Sequence, residues 1–404
     1  MTGEKSRLLF VDDERNVLQG IRRMLRSKRD EWDMSFAIGG EEALDHLKTA
    51  PADVVISDMK MPKMDGAALL TEVQRLYPET IRIVLSGFSE TEAVIRTVGP
   101  SHQYLAKPCD PDTLMSAIDR ALQQRATMKS EAVRNLVTGL RGIPTLPTTV
   151  DELLQEIESP NASVGAVAET IASDVAMTAQ ILKLVNSAYF GLPREVNDPL
   201  QAVQMLGLET IKALALVANI FSKFDGEGEV LRDIDRINRR SLKIGALAKA
   251  ISEAEGFDKA VVQQACCAGV LAHIGSLPLI TEWPDRWLNV VKMVDTTDCG
   301  MTDAEHHEFA TNHAEIGAFL LGLWGFNADI VEAVRYHHTP GDCSVREPNA
   351  ITAVHVAQYL VRNDQDSYCN GCGLDRDYLA DLGLGDRIPD WEETYDNLKH
   401  RNLG

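Results

Sequence analysis

The chain has 404 residues, of which 45% are hydrophobic, 25% charged and 6% aromatic, a composition typical of a soluble, helix-rich protein with two or three domains. Its formal net charge of −20 repels nucleic-acid phosphates, and acids at Asp233 and Asp235 interrupt the most basic segment, 232–243, so we expect no nucleic-acid partner. Apolar runs stay well below the roughly 18 residues of a membrane helix, and seven cysteines do not form a disulfide framework, so we expect no membrane span and a cytoplasmic location.

Four apolar runs in the first third of the chain each end in a charged or hydroxyl side chain. The runs are 8–11 before Asp12 and Asp13, 52–57 before Asp58, 81–85 before Ser86, and 102–106 before Lys107. Helical patterns lie between the runs, which predicts a βαβ series with a parallel sheet. Because functional sites of open α/β sheets lie at the carboxyl ends of the strands, we expect these five side chains to share one cleft.

The chemistry of that cleft favours phosphoryl transfer. Three carboxylates repel one another unless a hard cation lies between them, and Mg²⁺ prefers such oxygen ligands. A carboxylate on Mg²⁺ can attack a phosphoryl group, while an ammonium such as Lys107 and a hydroxyl such as Ser86 hold the phosphoryl oxygens. The alternative is that each acid is a solvated strand-end or helix-cap residue. Five such residues at corresponding strand ends favour the shared site.

Residues 4–125 resemble the receiver domain of two-component response regulators. The matching motifs are Val-Asp-Asp-Glu at 11–14, Asp-Met-Lys-Met-Pro-Lys-Met-Asp-Gly at 58–66, Leu-Ser-Gly at 85–87 and Tyr-Leu-Ala-Lys-Pro at 104–108. The resemblance implies a flavodoxin-like α/β fold over 1–125 with a doubly wound, five-stranded parallel sheet. It also implies a sensor histidine kinase or a phosphotransfer protein as the partner.

The resemblance assigns a role to each motif residue. Asp58 is the phosphoacceptor. Mg²⁺ is bound by Asp12, Asp13 and Asp58 together with the backbone carbonyl of Lys60. The phosphoryl-binding and switch residues are Ser86, Tyr104, Lys107 and Pro108, where Tyr104 is the aromatic switch and the Lys107–Pro108 peptide bond is cis.

Residues 126–142 form a predicted helical linker. The apolar pattern from Leu114 to Leu140 fits two alternatives: a single long helix that could pair in a homodimer, or a final receiver helix followed by a separate short one. Two prolines, Pro144 and Pro147, mark the boundary to the next domain. Helical periodicity prevails over residues 143–362, which predicts an all-α output domain with a loop over 224–230.

Six histidines lie between residues 273 and 338, and such a cluster could bind a transition metal. A single histidine on a helix is more often a core or capping residue. His337 and His338 are adjacent, so on one helix their side chains point about 100° apart. Helical spacing therefore does not direct both side chains at one site without a further feature of the fold.

Residues 141–362 resemble the HDOD family, a helical output domain related to HD-type metal phosphohydrolases. The matching motifs are Ile-Pro-Thr-Leu-Pro at 143–147, Leu-Lys-Leu-Val-Asn-Ser-Ala-Tyr-Phe at 182–190, Ala-Val-Gln-Met-Leu-Gly at 202–207, Ala-Gly-Val-Leu-Ala-His-Ile-Gly at 268–275, His-Ala-Glu-Ile-Gly at 313–317 and Tyr-His-His-Thr-Pro at 336–340.

The departures from the catalytic relatives indicate a lost phosphohydrolase site. Ala272-His273 stands where the relatives have a His-Asp doublet, and neither Ser241 nor Gln358 supplies a further metal ligand. A vestigial set remains: His273, His313, His337 and His338. We expect these histidines to form a hydrogen-bonded core network, with no hydrolytic residue and no transition metal in this domain.

The last segment, 363–404, is an acidic extension. Trp391, Tyr395 and Leu398 predict one amphipathic helix that caps the domain or contacts a partner. Cys369 and Cys372 form a single C-x₂-C without a second pair, for which we favour a turn over a zinc site.

Together these observations predict a response regulator. Phosphorylation of Asp58 with Mg²⁺ switches a non-catalytic HDOD domain that acts by binding a downstream signalling protein. Two alternatives stay open: a receiver-gated metal phosphohydrolase of cyclic dinucleotides or nucleotides, and a pocket that senses a ligand without turnover.

Overall fold

The computed structural model describes residues 5–87, 100–128, 130–140, 143–159, 161–187, 195–216, 228–363 and 373–401. An α/β region occupies the N-terminal part of this range and a helical region occupies the rest. The predicted order of an α/β receiver fold before an all-α region is therefore confirmed.

Five parallel strands form one sheet in the order β2-β1-β3-β4-β5. The strands are β1 Ser6–Val11, β2 Trp32–Ala37, β3 Val54–Asp58, β4 Ile81–Gly87 and β5 Gln103–Lys107. All five residues of β3 are buried, because helices cover both faces of a parallel sheet. In the register, Asp58 pairs with Leu85 and Gly87 pairs with Lys107, so the polar strand ends lie at one edge.

Within the described residues, the α-helices of the α/β region are α1 Arg15–Met24, α2 Gly40–Thr49, α3 Gly66–Leu76 and α4 Pro111–Thr127. Asp110 caps α4 by accepting a hydrogen bond from the backbone N–H of Thr113 at 2.9 Å, as the Asp-Pro-Asp sequence leads one to expect.

The segment from Leu114 to Leu140 contains two separate helices, which decides between the two alternatives. Helix α4 ends at Thr127, where Met128 adopts an extended backbone, and α5 Glu131–Gly139 starts after Ser130. The Ser130 side chain accepts a hydrogen bond from the backbone N–H of Val133. A serine cap breaks the helix at this point, so the single long helix is wrong.

The helical region has fifteen helices within the residues that the structure describes. They are α6 Pro147–Glu158, α7 Val164–Ala172, α8 Val175–Val185, α9 Pro199–Leu206, α10 Leu208–Leu216, α11 Glu229–Ala254, α12 Lys259–Leu271, α13 Ser276–Glu282, α14 Pro284–Thr296, α15 Met301–Phe309, α16 His313–Leu323, α17 Ala328–Tyr336, α18 Ala350–Leu360, α19 Arg376–Asp381 and α20 Ile388–Arg401.

The predicted C-terminal helix packs on the domain as α20. The Trp391 side chain is 1% exposed and donates a hydrogen bond from Nε1 to Glu255 Oε1 at 2.7 Å. Most of the predicted 224–230 loop, and both Cys369 and Cys372, lie outside the described residues.

Helical segment Lys259–Glu282, which contains α12 and α13, is long and apolar enough to cross a membrane by length and composition. In the fold, 67% of its most apolar window is buried inside the protein. This burial is what a core helix of a water-soluble domain shows.

Candidate functional site

The carboxyl ends of β1, β3 and β5 bring an ammonium between two carboxylates. Lys107 Nζ donates to Asp12 Oδ2 at 2.8 Å and also to Asp58 Oδ1. Asp12 is 2% exposed and Asp58 is 7% exposed. The neighbouring Asp13 is exposed. Asp12, Asp58 and Lys107 thus meet as the strand pattern predicts.

Backbone N–H groups orient both buried carboxylates. The N–H of Glu14 donates to Asp12 Oδ1 at 2.9 Å, and the N–H of Lys60 donates to Asp58 Oδ2 at 2.9 Å. Gly66 makes the loop after β3 fit, because a Cβ at this position would lie 2.3 Å from the Asp58 carbonyl oxygen. The Asp65-Gly66 sequence is the signal for this close approach.

In the cleft, burial and the neighbouring charges shift the pKa values of Asp58 and Lys107 in opposite directions. Burial raises the pKa of Asp58, and the Lys107 ammonium opposes this rise. Burial lowers the pKa of Lys107, but its hydrogen bonds to Asp12 and Asp58 outweigh burial and leave the pKa raised. The buried carboxylates of Asp12 and Asp58 are oxygen donors of the kind that Mg²⁺ prefers.

Ser86 and Tyr104 lie on the adjacent strands β4 and β5, and both are buried. Tyr104 is 2% exposed, so its ring points into the protein. The Lys107–Pro108 peptide bond is cis, as the resemblance implies.

The second cluster consists of four histidines in the helical region. His273 lies in the turn between α12 and α13, His313 is the first residue of α16, and His337 and His338 follow the last residue of α17. One ring nitrogen from each lies within 4.8 Å of the others. The His337 and His338 ring centroids are 4.1 Å apart, although helical spacing would direct the two side chains about 100° apart. Helix α17 ends at Tyr336, and His337 is its C-cap residue.

Glycine packing brings His273 close to His313. A Cβ on Gly275 would lie 2.1 Å from the His313 carbonyl oxygen and 2.5 Å from the Gly317 nitrogen. The turn after His273 therefore lies directly against the first turn of α16. The His273 and His313 rings stack with centroids 5.0 Å apart.

The expected hydrogen-bonded network includes only part of this cluster. His313 Nδ1 donates to Glu305 Oε2 at 2.7 Å, and His313 Nε2 lies 3.0 Å from His338 Nε2. His337 Nδ1 donates to the Val334 carbonyl at 2.7 Å. Neither nitrogen of His273, nor Nε2 of His337, hydrogen-bonds to another described residue.

Burial lowers the pKa of His273, His337 and His338 well below the usual histidine value, so their imidazoles are neutral at pH 7. Sequence reasoning missed Glu305. Its sequence signal is an acid on the helix that precedes His313, eight residues earlier.

In the part of the chain that the structure describes, no carboxylate or thiolate offers a ligand atom to the group formed by the four histidine nitrogens. His306 and His307 are exposed on α15 and stay outside the cluster.

Buried cations occupy the junction between the α/β and helical regions. Arg82 in β4 donates to the Thr138 carbonyl at 2.6 Å, and burial lowers its pKa to about 9, so it stays charged at pH 7. Lys183 in α8 donates to the Ser101 carbonyl at 2.8 Å, and burial lowers its pKa to about 7. Gln103 in β5 donates from Nε2 to the Leu323 carbonyl at 3.0 Å.

Comparison with known proteins assigns both regions to families. The response regulator receiver domain matches residues 8–119, and the HDOD domain matches residues 143–340. An uncharacterized protein of Treponema pallidum is 25% identical over 240 residues, which are 58% of this chain and 45% of that protein. The transcriptional regulatory protein GlrR of Escherichia coli is 35% identical over 138 residues, 34% of this chain and 31% of GlrR.

The chain thus spans less than half the length of these curated relatives. Among solved structures, the MmoQ response regulator of Methylococcus capsulatus matches with a TM-score of 0.45 and 24% identity. This match covers 62% of the present chain and 98% of the MmoQ chain. With a receiver domain at 8–119 and an HDOD domain at 143–340, the chain belongs to the response regulators that carry an HDOD output domain.

Proposed function

We propose that a sensor histidine kinase or a phosphotransfer protein phosphorylates Asp58, and that the receiver then switches a non-catalytic HDOD domain. The observation that carries this proposal is the contact of Lys107 with Asp12 and Asp58 at the carboxyl edge of the sheet. A cation already lies where phosphoryl oxygens would need one.

In the proposed reaction, an Asp58 oxygen forms a bond to phosphorus as the phosphorus–nitrogen bond to the donor histidine breaks. Asp12, Asp13, Asp58 and the Lys60 carbonyl would hold Mg²⁺, which neutralises phosphoryl charge when bound. Lys107 pairs with the phosphoryl oxygens, and the Ser86 hydroxyl donates to one of them.

The switch is proposed to reach the HDOD domain through β5. Movement of Ser86 toward the phosphoryl group changes the packing beside Tyr104, the neighbour of Gln103 in β5. Gln103 bonds to the last residue of α16, so a shift of β5 acts directly on that helix. We describe this as a change in the populations of two conformations.

We propose that the HDOD domain does not hydrolyse phosphodiesters. A binuclear centre needs several anionic ligands, and Ala272, Ser241 and Gln358 stand where the catalytic relatives have metal-binding side chains. The output is then contact with a downstream signalling protein, in the cytoplasm and without nucleic acid. A homodimer stays an alternative state of the regulator.

Phosphorylation of the purified chain tests the first step. With radiolabelled acetyl phosphate and Mg²⁺ we expect acid-stable, base-labile incorporation in the wild type and none in Asp58→Asn. Asp45→Asn, an exposed acid on α2, is the matched control and should incorporate label normally. Labelling of Asp58→Asn at the wild-type level would refute the assignment.

Hydrogen exchange tests the second step. Beryllofluoride, a phosphoryl mimic, should change hydrogen exchange in β5 and α16 of the wild type but not of Asp58→Asn.

The phosphohydrolase alternative predicts turnover of a cyclic dinucleotide that His313→Ala abolishes. Such turnover would replace the non-catalytic assignment.

A further inference from the structure

We propose that His273, His313, His337 and His338 bind a single divalent transition-metal ion, for which zinc is the probe. This proposal does not depend on phosphorylation of Asp58. It goes against the expectation of a metal-free HDOD domain, and it follows from how the structure arranges the four rings.

The first argument is distance. One nitrogen from each imidazole lies within 4.8 Å of the other three, and the Nε2 atoms of His313 and His338 are 3.0 Å apart. Tetrahedral nitrogen ligands, each about 2.0–2.1 Å from zinc, lie about 3.4 Å from one another. Small side-chain rotations therefore suffice to close the four nitrogens around one ion.

The second argument concerns nitrogens without partners. His273 is 5% exposed and His337 is 0% exposed. Both nitrogens of His273 and Nε2 of His337 lack hydrogen bonds to the described residues. Buried polar atoms are normally hydrogen-bonded, so three such atoms in one cluster need a cause. A hydrogen-bonded network alone accounts for His313 and His338 but leaves these three atoms unused, whereas a metal ion uses His337 Nε2 and one nitrogen of His273.

The third argument is the orientation of the other ring nitrogens. His313 Nδ1 donates to Glu305 Oε2, and His337 Nδ1 donates to the Val334 carbonyl. Metal-binding histidines usually donate their second N–H to a carboxylate or a carbonyl, which fixes the tautomer and directs the free lone pair at the metal. Two of the four residues already have this arrangement through Nδ1, with Nε2 left for the ion.

Charge limits the site to one ion. Glu305 supplies a buried carboxylate beside His313. The buried Arg240 acts electrostatically on His273, His337 and His338, and its positive charge opposes additional cations. Imidazole ligands suit zinc, copper, iron and nickel rather than Mg²⁺. A mononuclear site of this kind differs from an acid-rich hydrolytic centre.

The site would fasten three parts of the domain. It joins the turn after α12, the first residue of α16 and the end of α17. A cavity of about 100 Å³, lined by His337, His338, Gln358 and Tyr359 among others, adjoins the cluster. His338 is the half-buried member of the four, so it is the ligand that is safest to change without unfolding the chain.

Zinc retention by the whole chain tests the proposal. Tag-free protein is stripped with a chelator and dialysed against zinc with excess Mg²⁺, which occupies the receiver acids. Elemental analysis should give one zinc per chain and a higher melting temperature than that of the stripped protein. If the wild type takes up no zinc when the stripped protein is dialysed against it, the proposal is wrong.

Matched variants locate the ion. His338→Gln and His273→Gln should each weaken zinc binding at least about tenfold, because each removes a direct ligand. His307→Gln changes an exposed histidine on α15 and should bind zinc as the wild type does. Unchanged affinity in both ligand variants overturns the proposal, and so does loss of zinc in a Cys369→Ser, Cys372→Ser double variant that keeps all four histidines.

Cobalt identifies the ligand type. Co²⁺ in the stripped chain should give the visible bands of tetrahedral coordination without a thiolate charge-transfer band in the near ultraviolet. A thiolate band would place the metal on cysteine and contradict a site of four imidazoles.

Discussion

The receiver cleft and the histidine cluster assemble polar side chains in opposite ways. The cleft is charged, and Lys107 already contacts two of its carboxylates. The histidine cluster consists of imidazoles, and both nitrogens of His273 and Nε2 of His337 have no hydrogen bond to the residues that the structure describes. The receiver cleft thus carries its own cation, whereas the proposed role of the histidine cluster is to bind an added one.

One helix connects the two regions. Its first residue, His313, lies in the histidine cluster, and the carbonyl of its last residue, Leu323, accepts the hydrogen bond from Gln103 of the receiver. Gly322 lies beside Gln124 of α4, where a Cβ would be 2.5 Å from the Gln124 side chain. Close packing along α16 therefore connects the histidine cluster to the receiver, as the proposed switch requires.

The largest expected effects come from single variants that each impair one of the two sites and leave the other intact. Asp58→Asn is expected to lose all phosphorylation and keep one zinc per chain, because the acceptor oxygen is gone and the histidines are untouched. His338→Gln is expected to be phosphorylated as the wild type is and to bind zinc at least about tenfold more weakly. Radiolabelling and zinc analysis on the same preparations check this. Loss of both properties in either single variant would contradict two independent sites.

Much of the receiver site could be predicted from sequence, because its residues sit at strand ends. A parallel sheet fixes where those ends meet, so Asp12, Asp58 and Lys107 could be placed together before the fold was known. The roles of these residues in phosphoryl transfer stay predictions.

The histidine cluster could not be assembled the same way, because its geometry depends on where a helix stops. Adjacent residues on one helix point about 100° apart, whereas helix α17 ends before His337. The signal for the stop was present: Pro340 follows two residues after His338 and disfavours a continuing helix. The contact of Gln103 with Leu323 spans 220 residues and depends on domain packing, which no local pattern reveals.

Removing the Lys107 ammonium should change the Mg²⁺ affinity of the charged cleft, which the neutral histidine cluster does not share. Lys107→Ala leaves Asp12 and Asp58 without their cation, so Mg²⁺ should bind at least about tenfold more tightly, since charges about 4 Å apart interact by several kcal/mol near a protein surface. Titration calorimetry measures this. Lys63→Ala, an exposed lysine paired with Glu41, should leave Mg²⁺ affinity unchanged. Weaker Mg²⁺ binding in Lys107→Ala would show that Lys107 organises the acids rather than competing for them.

Backbone packing at the cleft gives the next effect. Gly66→Ala places a Cβ against the Asp58 carbonyl, where neither backbone segment can yield easily, so we expect a loss of about 1–3 kcal/mol in stability and slower phosphorylation. Gly20→Ala is the matched control, because a Cβ there meets nothing within 4 Å. On an open helical position alanine should stabilise the chain by about 0.5–1 kcal/mol. Equal effects of the two variants in urea unfolding would argue against close packing at Gly66.

The smallest effect concerns the junction between the two regions. Burial lowers the pKa of Lys183 from 10.5 to about 7, so between these pH values the unfolded chain binds more protons than the folded chain. The free energy of unfolding therefore rises with pH in this window, by roughly 1 kcal/mol per pH unit from this residue. Lys183→Met should flatten that rise between about pH 7 and pH 9, which urea unfolding at several pH values measures. Lys249→Met, an exposed lysine on α11, should keep the wild-type slope. Equal slopes in wild type and Lys183→Met would mean that solvent reaches the Lys183 ammonium in the folded chain, and would contradict a buried junction at this residue.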